Sequence, residues 1–487
     1  MVTVDFNALL RTHDWVEELG GLLPLSALLE FLDASHVFHI YQLTGATAWW
    51  CWPITPAGFR MLRSCRVSDE TCLLDEFDAS TTPVCLDGRY GDKYPLANPE
   101  TLRLCLGASK SHHVPNRHKN MLRRDIRPHT VDLVHVVRHP SDGNKPPPSS
   151  FLDHPFNFFS RVAGWVVWAG LVAFSIVSAS WLLLTFLLLV TATGFVVSRL
   201  FPAGPRRLRV DRGSGYNRLV LSAQHMNATH WTIYYGESSV VNSLLNWPLR
   251  LERAPELRLV DGQEWQAVWL RRLLHMLILG QWAMTVGSAA LKDWNAYGIS
   301  FWIFFCILMN TWSFATEHSA GTWLRHVAVG LERYTVRVSS RRTLLNLVLA
   351  LNPDTFALDA QTQKTEVNRF SPGAVAWMDD ILKAGDSRSA WEDASRLAMI
   401  SAMEAKGIEL GTGVDKSGIE KHEFMAAVEE GLERYTRMYW FDFIGEGIQV
   451  AQELTMAAGL GGPHHFRLIY ASSKQDFLSA LLPSMSP

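Results

Sequence analysis

The sequence lacks the short motifs that identify most enzymes. It contains no GxSxG, HExxH, GxxxxGK[ST] or GxGxxG pattern, which disfavours a nucleophile elbow, a zinc-protease helix, a P-loop and a dinucleotide-binding turn. No cofactor is therefore expected. The formal net charge is -2, and a chain without excess positive charge is not expected to bind nucleic acid.

Cysteine is also scarce. There are 6 cysteines and no CxxC pair, so the irregular spacing predicts reduced thiols and no disulfide framework. The histidines and cysteines between positions 85 and 118 do not match the ligand spacing of a zinc finger or ribbon. We therefore expect no metal site.

A signal peptide is missing from the first residues. A signal peptide needs an apolar core after a basic start, whereas this start carries Asp5, Arg11, Asp14, Glu17 and Glu18. We therefore expect membrane targeting to depend on internal segments.

Charge is absent from long internal stretches. Residues 162–198 carry no charged side chain, and residues 273–315 carry only Lys292 and Asp293. A membrane-crossing helix needs roughly 20 apolar residues, so each stretch is long enough for two helices. The sequence predicts a mainly α integral membrane protein with four transmembrane helices in two hairpins, a mixed cytosolic N-terminal region and a helical cytosolic C-terminal region.

The predicted organisation follows from these stretches. It comprises a cytosolic mixed region (1–140), a Pro-rich linker and interfacial lead-in (141–161), hairpin 1 (162–199), a cytosolic central region (200–272), hairpin 2 (273–316) and a cytosolic, mainly helical region (317–487). Within these regions we expect a strand over 131–137 and a turn at Gly236.

Basic residues set the expected orientation. Arg199, Arg206 and Arg207 follow hairpin 1, and Arg271 and Arg272 precede hairpin 2. Because basic residues favour the cytosolic side, both termini and all long polar regions are expected in the cytosol. The expected location is the endoplasmic reticulum or another endomembrane.

Polar residues inside hairpin 2 form a first candidate site. They are His275, Gln281, Asn310 and Glu317, predicted to form one polar seam in the cytosolic half of the membrane. Such residues either hydrogen-bond helices to one another or line a path for a transported ion. The first role is the expected one.

A second candidate lies in the polar, aromatic segment 222–246. Its acid–base and nucleophile candidates are His225, His230, Glu237 and Ser238, because histidine and glutamate commonly transfer protons and serine attacks carbonyl groups. The alternative is a packed fold in which these residues cap helices and fill turns.

The segment YGESSVVNSLLNWPL, residues 235–249, follows an apolar hairpin. In having this segment after an apolar hairpin, the chain resembles a group of multi-spanning membrane proteins of filamentous fungi that have no assigned activity. The resemblance covers roughly residues 150–320. It implies an accessory role in a secondary-metabolite pathway, and it assigns no functional residue.

Three functions remain open at this point. The leading prediction is an accessory or scaffolding membrane protein that holds cytosolic protein partners at the lipid bilayer. The second is a membrane-bound enzyme that acts on a lipophilic substrate at the cytosolic face. The third is a small transporter, which would need to form a homo-oligomer because one hairpin offers too few polar groups.

Overall fold

The computed structural model describes most of the chain. The described residues are 14–30, 35–44, 50, 72, 75, 82–122, 126–139, 155–200, 205–210, 213–214, 216–251, 264–313, 316–358, 365–405 and 441–460. The linker predicted over 141–150 lies outside them.

Eleven strands are present in the described residues. They are β1 (Val84–Asp87), β2 (Lys93–Pro95), β3 (Lys110–Val114), β4 (His129–Arg138), β5 (Arg206–Arg207), β6 (Asn217–Ala223), β7 (His230–Glu237), β8 (Arg250–Leu251), β9 (Val329–Val338), β10 (Phe356–Leu358) and β11 (Thr365–Phe370).

Seven of these strands form one mixed sheet in the order β2-β1-β6-β7-β4-β9-β3. The long strand β4 is central, parallel to β7 and antiparallel to β9. Its sequence HTVDLVHVVR is rich in β-branched residues, which favour a pleated strand. Neighbouring residues face opposite sides of the sheet, so Val131 and Leu133 enter one core while Val134 and Val136 enter another.

Thirteen α-helices are described. They are α1 (Asp14–Glu30), α2 (Ser35–Thr44), α3 (Pro99–Ala108), α4 (Pro155–Val177), α5 (Trp181–Leu200), α6 (Ser238–Leu245), α7 (Glu264–Leu291), α8 (Trp294–Ser313), α9 (Thr316–His326), α10 (Arg341–Leu351), α11 (Pro372–Ala376), α12 (Asp386–Ala405) and α13 (Asp442–Ala457).

Helices cover both faces of the sheet. Apolar residues of α10, α12 and α13 pack on the first face, and those of α2, α3, α6 and α9 pack on the second. The sheet with these helices is called the sheet unit below. It is a layered arrangement in which each face of the sheet buries apolar side chains.

The remaining long helices form a separate cluster. Helices α4, α5, α7 and α8, called the helical unit below, pack around Phe186, Trp302 and the inserted Trp50. A Cβ at Gly164 of α4 would lie 2.2 Å from the Trp50 ring, so glycine is needed there for the ring to fit. Helix α1 lies against α7 and α8, where the Tyr297 hydroxyl donates to the Val16 carbonyl oxygen.

The predicted fold class is wrong. The chain is built on a seven-stranded mixed sheet with helices on both faces, an α/β arrangement, and does not present four transmembrane helices. Among the described residues only Trp181–Leu200 and Val268–Leu291 are long and apolar enough to cross a membrane. The apolar parts of the other two helices, Val162–Val177 and Trp294–Met309, are shorter. The apolar stretches correctly indicated helices, but turn residues divide each stretch into one longer and one shorter apolar segment.

Candidate functional site

A pocket opens on the second face of the sheet, beside the turn between β6 and β7. Its volume is about 840 Å³. One wall is the start of α3, including Glu100 and Arg103, and the other is formed by sheet residues such as Ser222 and Thr232. Helix α3 can begin here because Pro99 occupies its first turn, where a missing N–H costs nothing.

His230 is the first residue of β7 and lines this pocket. Its Nε2 lies 2.9 Å from Oδ2 of Asp132 on the neighbouring strand β4. Thr335 lies opposite Asp132 on β9, and its hydroxyl donates to Asp132 Oδ1 at 2.5 Å. The carboxylate therefore holds the imidazole while a third strand fixes the carboxylate.

The two ionisable groups shift one another's titration. The hydrogen bond to Asp132 raises the pKa of His230, and this outweighs the opposing effect of burial. Burial acts to raise the pKa of Asp132, but hydrogen bonds from His230 and Thr335 hold that pKa below its usual value. The His230 side chain is 59% exposed, so a bound molecule can reach it. An imidazole held by a carboxylate in this way is suited to proton transfer.

The pocket wall and its rim carry positive charge. Arg127 lines the pocket, and the guanidinium of Arg341 donates to the Asn227 side-chain oxygen at 3.0 Å in the adjoining turn. Arg103 forms an ion pair with Glu100 across one turn of α3. With His230 protonated, the four cationic groups outnumber the carboxylates of Glu100 and Asp132 and favour a ligand that carries an anionic group.

Two of the four acid–base candidates from the sequence line this pocket. They are His230 and His225, whose Nδ1 accepts a hydrogen bond from the Asn227 N–H at 3.2 Å and so shapes the turn. The other two lie at the opposite end of β7. Glu237 accepts hydrogen bonds from the Ser214 N–H at 2.8 Å and the Ser239 hydroxyl at 2.5 Å. Ser238 is buried at the start of α6. Both therefore have structural contacts in the fold.

The predicted seam in hairpin 2 is described only in part, because the side chains of Asn310 and Glu317 lie outside the described portion of the structure. Gln281 is fully buried and donates to the Thr193 hydroxyl at 2.6 Å, which joins α7 to α5. His275 is half-buried, and its Nε2 has no hydrogen-bond partner among the described residues.

Asp132 and Thr335 were missed by sequence reasoning. Asp132 lies inside the predicted strand 131–137, and a carboxylate in an otherwise apolar strand was the available signal. Thr335 gave no such signal, because strand β9 was not expected.

A second cluster lies at the start of α3. His39, Cys72 and Asp75 are fully or almost fully buried, and one ligand atom from each lies within 4.8 Å of the others. Within the described part of the chain this is the only such group of potential metal ligands. Asp75 also accepts hydrogen bonds from the N–H groups of Glu100 and Thr101, at 2.8 and 3.2 Å, and so caps α3.

Comparison of the chain with models of protein families, with curated proteins and with solved structures gave no match. The class is therefore defined by the structure alone. It is a mixed-sheet α/β protein with an apolar helical unit and a pocket that contains a carboxylate-held histidine.

Proposed function

We propose that this protein is a membrane-bound enzyme in which His230 acts as a general acid–base on a substrate held in the pocket. The observation that carries the proposal is the contact between His230 and Asp132 at 2.9 Å, on the wall of a pocket of about 840 Å³. A carboxylate that fixes an imidazole beside a pocket is a recurrent arrangement for proton transfer.

The environment of His230 supports an acid–base role over a purely structural one. An ion pair with a solvent-exposed partner contributes little to stability, and the His230 side chain is 59% exposed while that of Asp132 is 10% exposed. The exposed partner is the one that faces the pocket. The perturbed pKa of a residue with a specific charge partner in a cleft is itself an indicator of a functional site.

Attachment to a membrane is supported by the surface of the helical unit. Among its described side chains, nineteen large apolar ones are exposed, five on α4, three on α5, eight on α7 and three on α8. Only 44% of the most apolar 18-residue segment of α5 and 33% of that of α7 is buried inside the protein. Exposed apolar surface on this scale is typical of contact with lipid or with a partner.

The accessory or scaffolding role, the endomembrane location, the cytosolic protein partners and the oligomeric transporter stay predictions. The pocket favours the enzyme over the scaffold, because a scaffold has no need of an acid–base pair in a pocket. The contact of Gln281 with Thr193 joins two helices and gives the transporter no specific support.

A metabolite comparison tests the enzyme. Strains that lack the protein are complemented with the wild type, His230→Ala or His112→Ala, where His112 is an exposed histidine on β3, at the edge of the same sheet. We expect His230→Ala to accumulate the same compounds as the strain without the protein, while His112→Ala matches the wild type. Immunoblots of membrane fractions must show equal protein levels.

Two results contradict the proposal. One is a strain without the protein whose metabolites equal those of the wild type. The other is full complementation by His230→Ala at equal protein level.

A further inference from the structure

Three exposed arginines lie where the helical unit joins the sheet unit, and they are called the arginine band below. Arg199 is in the last turn of α5, Arg272 is in the first third of α7, and Arg207 belongs to the two-stranded ribbon of β5 and β8. The ribbon begins six residues after α5 ends. It is fastened to the sheet unit, because the Trp323 indole N–H of α9 donates to the Arg206 carbonyl oxygen at 2.7 Å.

Arg199 and Arg272 lie at nearly the same level of the helical unit. Helices α5 and α7 meet where the Gln281 side chain donates to the Thr193 hydroxyl at 2.6 Å. They run in opposite directions, because α7 ends at the turn into α8 and a backbone N–H in the first turn of α5 donates to a side chain in the first turn of α8 at 2.9 Å. At 1.5 Å per residue, Arg199 lies about 9 Å from Thr193 and Arg272 about 14 Å from Gln281 in the same direction, a difference of about one helical turn.

Exposed aromatic rings accompany the arginine band. The guanidinium carbon of Arg199 lies 5.2 Å from the ring centre of Phe195, which is itself exposed. On α7, the exposed Trp265 and Trp269 precede Arg272 by seven and three residues, which places all three on one face of the helix. Tryptophan is enriched at the boundary between lipid and water, so the band has the composition of such a boundary.

The surface beyond the arginine band is entirely apolar on α7. Residues 273–291 contain no lysine, arginine, aspartate or glutamate. Every exposed side chain in this range is alanine, valine, leucine or methionine. The band therefore forms the edge of the apolar surface, on the side that faces the sheet unit.

We propose that the arginine band binds the phosphate headgroups of anionic lipids. The inference rests on the membrane attachment proposed above and adds the charge of the lipid that is preferred. Residues 155–210 and 265–291 contain no acidic residue, so no carboxylate within these segments offsets the arginines. Glu264, at the start of α7, lies about two helical turns from Arg272. Basic residues at the edge of a membrane-binding surface attract anionic lipid.

The adjoining surface favours lipid over nucleic acid as the source of the phosphate. A nucleic-acid backbone would satisfy the charge of the arginines but would leave the exposed apolar residues of α7 in water. An anionic lipid covers both, because its phosphate reaches the band while its acyl chains contact the apolar surface.

Lipid selectivity of the full-length protein tests the proposal. The protein is reconstituted in phosphatidylcholine vesicles that contain a trace of spin-labelled phosphatidylglycerol or spin-labelled phosphatidylcholine. Electron paramagnetic resonance then measures the protein-associated fraction of each label. We expect the association constant of phosphatidylglycerol to be about fivefold higher, which corresponds to about 1 kcal/mol, the contribution of one basic group at a membrane surface.

Simultaneous substitution removes the arginine band. The combined variant Arg199→Gln, Arg207→Gln and Arg272→Gln should associate equally with both lipids. The matched control makes the same change of charge at three exposed basic residues on β3, β9 and the loop after β3, namely Lys110→Gln, Arg117→Gln and Arg337→Gln. The control should keep the preference of the wild type.

Added salt gives a test that needs no variant, because screening weakens attraction between exposed charges. The preference of the wild type should fall as the salt concentration rises. Equal association of the two lipids with the wild type overturns the proposal, as does a preference that survives the triple substitution. A wild type that binds an RNA duplex through the same arginines and shows no lipid preference has nucleic acid as its partner, which also overturns it.

These results are separable from a failure of the proposed function. Absence of protein-associated lipid of either kind contradicts the membrane attachment itself. Equal association of the two lipids leaves that attachment standing and removes only the preference for anionic headgroups. Neither readout depends on His230.

Discussion

The sheet unit and the helical unit differ in the polar side chains that they bury and in the apolar side chains that they expose. The sheet unit buries charged side chains, among them Asp87, Arg388 and Glu446, each held by charged or polar partners. In the described part of the helical unit the buried polar side chains are all neutral, such as Thr193 and Gln281. Among the described side chains, the helical unit exposes nineteen large apolar residues, whereas the sheet unit and its connecting loops expose five.

We propose that this difference reflects two different surroundings, water for the sheet unit and lipid for the helical unit. A protein surface in water is covered by polar groups, and its interior tolerates a charge that is well paired. A helix surface in lipid is apolar, and unpaired charge is expelled. The proposed attachment to a membrane therefore assigns lipid to the surface of the helical unit and water to that of the sheet unit.

The largest expected effect lies inside the sheet unit. Glu446 of α13 is fully buried and accepts hydrogen bonds from the side chains of Asn116, Asn120, Ser339 and Thr343, and from the Ser339 N–H. Glu446→Ala removes the acceptor of all five of these hydrogen bonds, and we expect a loss of about 4 kcal/mol in the free energy of unfolding. Denaturant unfolding of the full chain in detergent measures it.

A matched control is Glu453→Ala on the same helix. Glu453 is only half-buried and accepts from Gln449 at 3.0 Å, so its loss should change stability by less than about 0.5 kcal/mol. Equal effects of the two substitutions would contradict a central role for the buried carboxylate.

The next largest effect is expected from a substitution on the exposed surface of the helical unit, compared with one on the exposed surface of the sheet unit. Met276 of α7 is 69% exposed, and Leu122 of the sheet unit is 87% exposed. If lipid surrounds Met276, Met276→Asp costs about 3 kcal/mol of membrane stability, so less protein should remain in carbonate-washed membranes. Leu122→Asp should leave that fraction unchanged. Identical retention of both variants would show that the two surfaces share one solvent.

A smaller effect concerns the inside of the helical unit. Thr193→Val removes the 2.6 Å hydrogen bond from Gln281, which keeps only its 3.5 Å contact with the Leu189 carbonyl oxygen, and should lower the stability by about 1 kcal/mol. Thr191→Val is the control, because the Thr191 hydroxyl donates only within its own helix, to the Leu187 carbonyl oxygen. Thermal unfolding in detergent measures both. A larger loss for Thr191→Val would be inconsistent with the assigned role of Gln281.

The smallest effect is the pH dependence of the pair at the pocket. The raised pKa of His230 gives stability that is full below pH 6.5 and is lost as the pH rises through the folded pKa. The lowered pKa of Asp132 gives stability that is present above pH 3.8 and is lost as the pH falls through its folded pKa. The pair therefore stabilises the fold most between these two values.

The melting temperature of the wild type relative to Asp132→Asn should peak in this window. A difference that does not vary with pH would contradict the ion pair.

Sequence predicted part of the fold well. Two apolar helices were expected within hairpin 1 (162–199), and the structure has two there, Pro155–Val177 and Trp181–Leu200. The strand expected over 131–137 is confirmed as His129–Arg138. Long apolar runs and β-branched alternation are local signals, which explains why they were readable.

The sheet itself was not predictable in this way. Gly236 was expected in a turn but lies inside β7, where a Cβ would approach the Val136 carbonyl oxygen to 2.2 Å. Glycine permits this close approach between strands, a requirement set by a partner about 100 residues away. Non-local pairing of this kind leaves little trace in the local sequence.

The candidate site was likewise predictable only where its residues lie close together in the sequence. His225 and His230 were identified because histidine commonly transfers protons and both lie in one polar, aromatic segment of the sequence. In the structure both line the pocket. Asp132 is 98 residues from His230 and is brought to it only by the parallel pairing of β4 with β7. Its role was therefore not readable from spacing.

Accessibility of spin labels tests the central claim most directly. Nitroxide labels are placed singly at positions 276 and 122 of the full chain in lipid vesicles, and their collision rates with oxygen and with a water-soluble nickel chelate are measured. The account predicts that the label in place of Met276 collides mainly with oxygen and the label in place of Leu122 mainly with the chelate. Equal access of the chelate to both positions would contradict it.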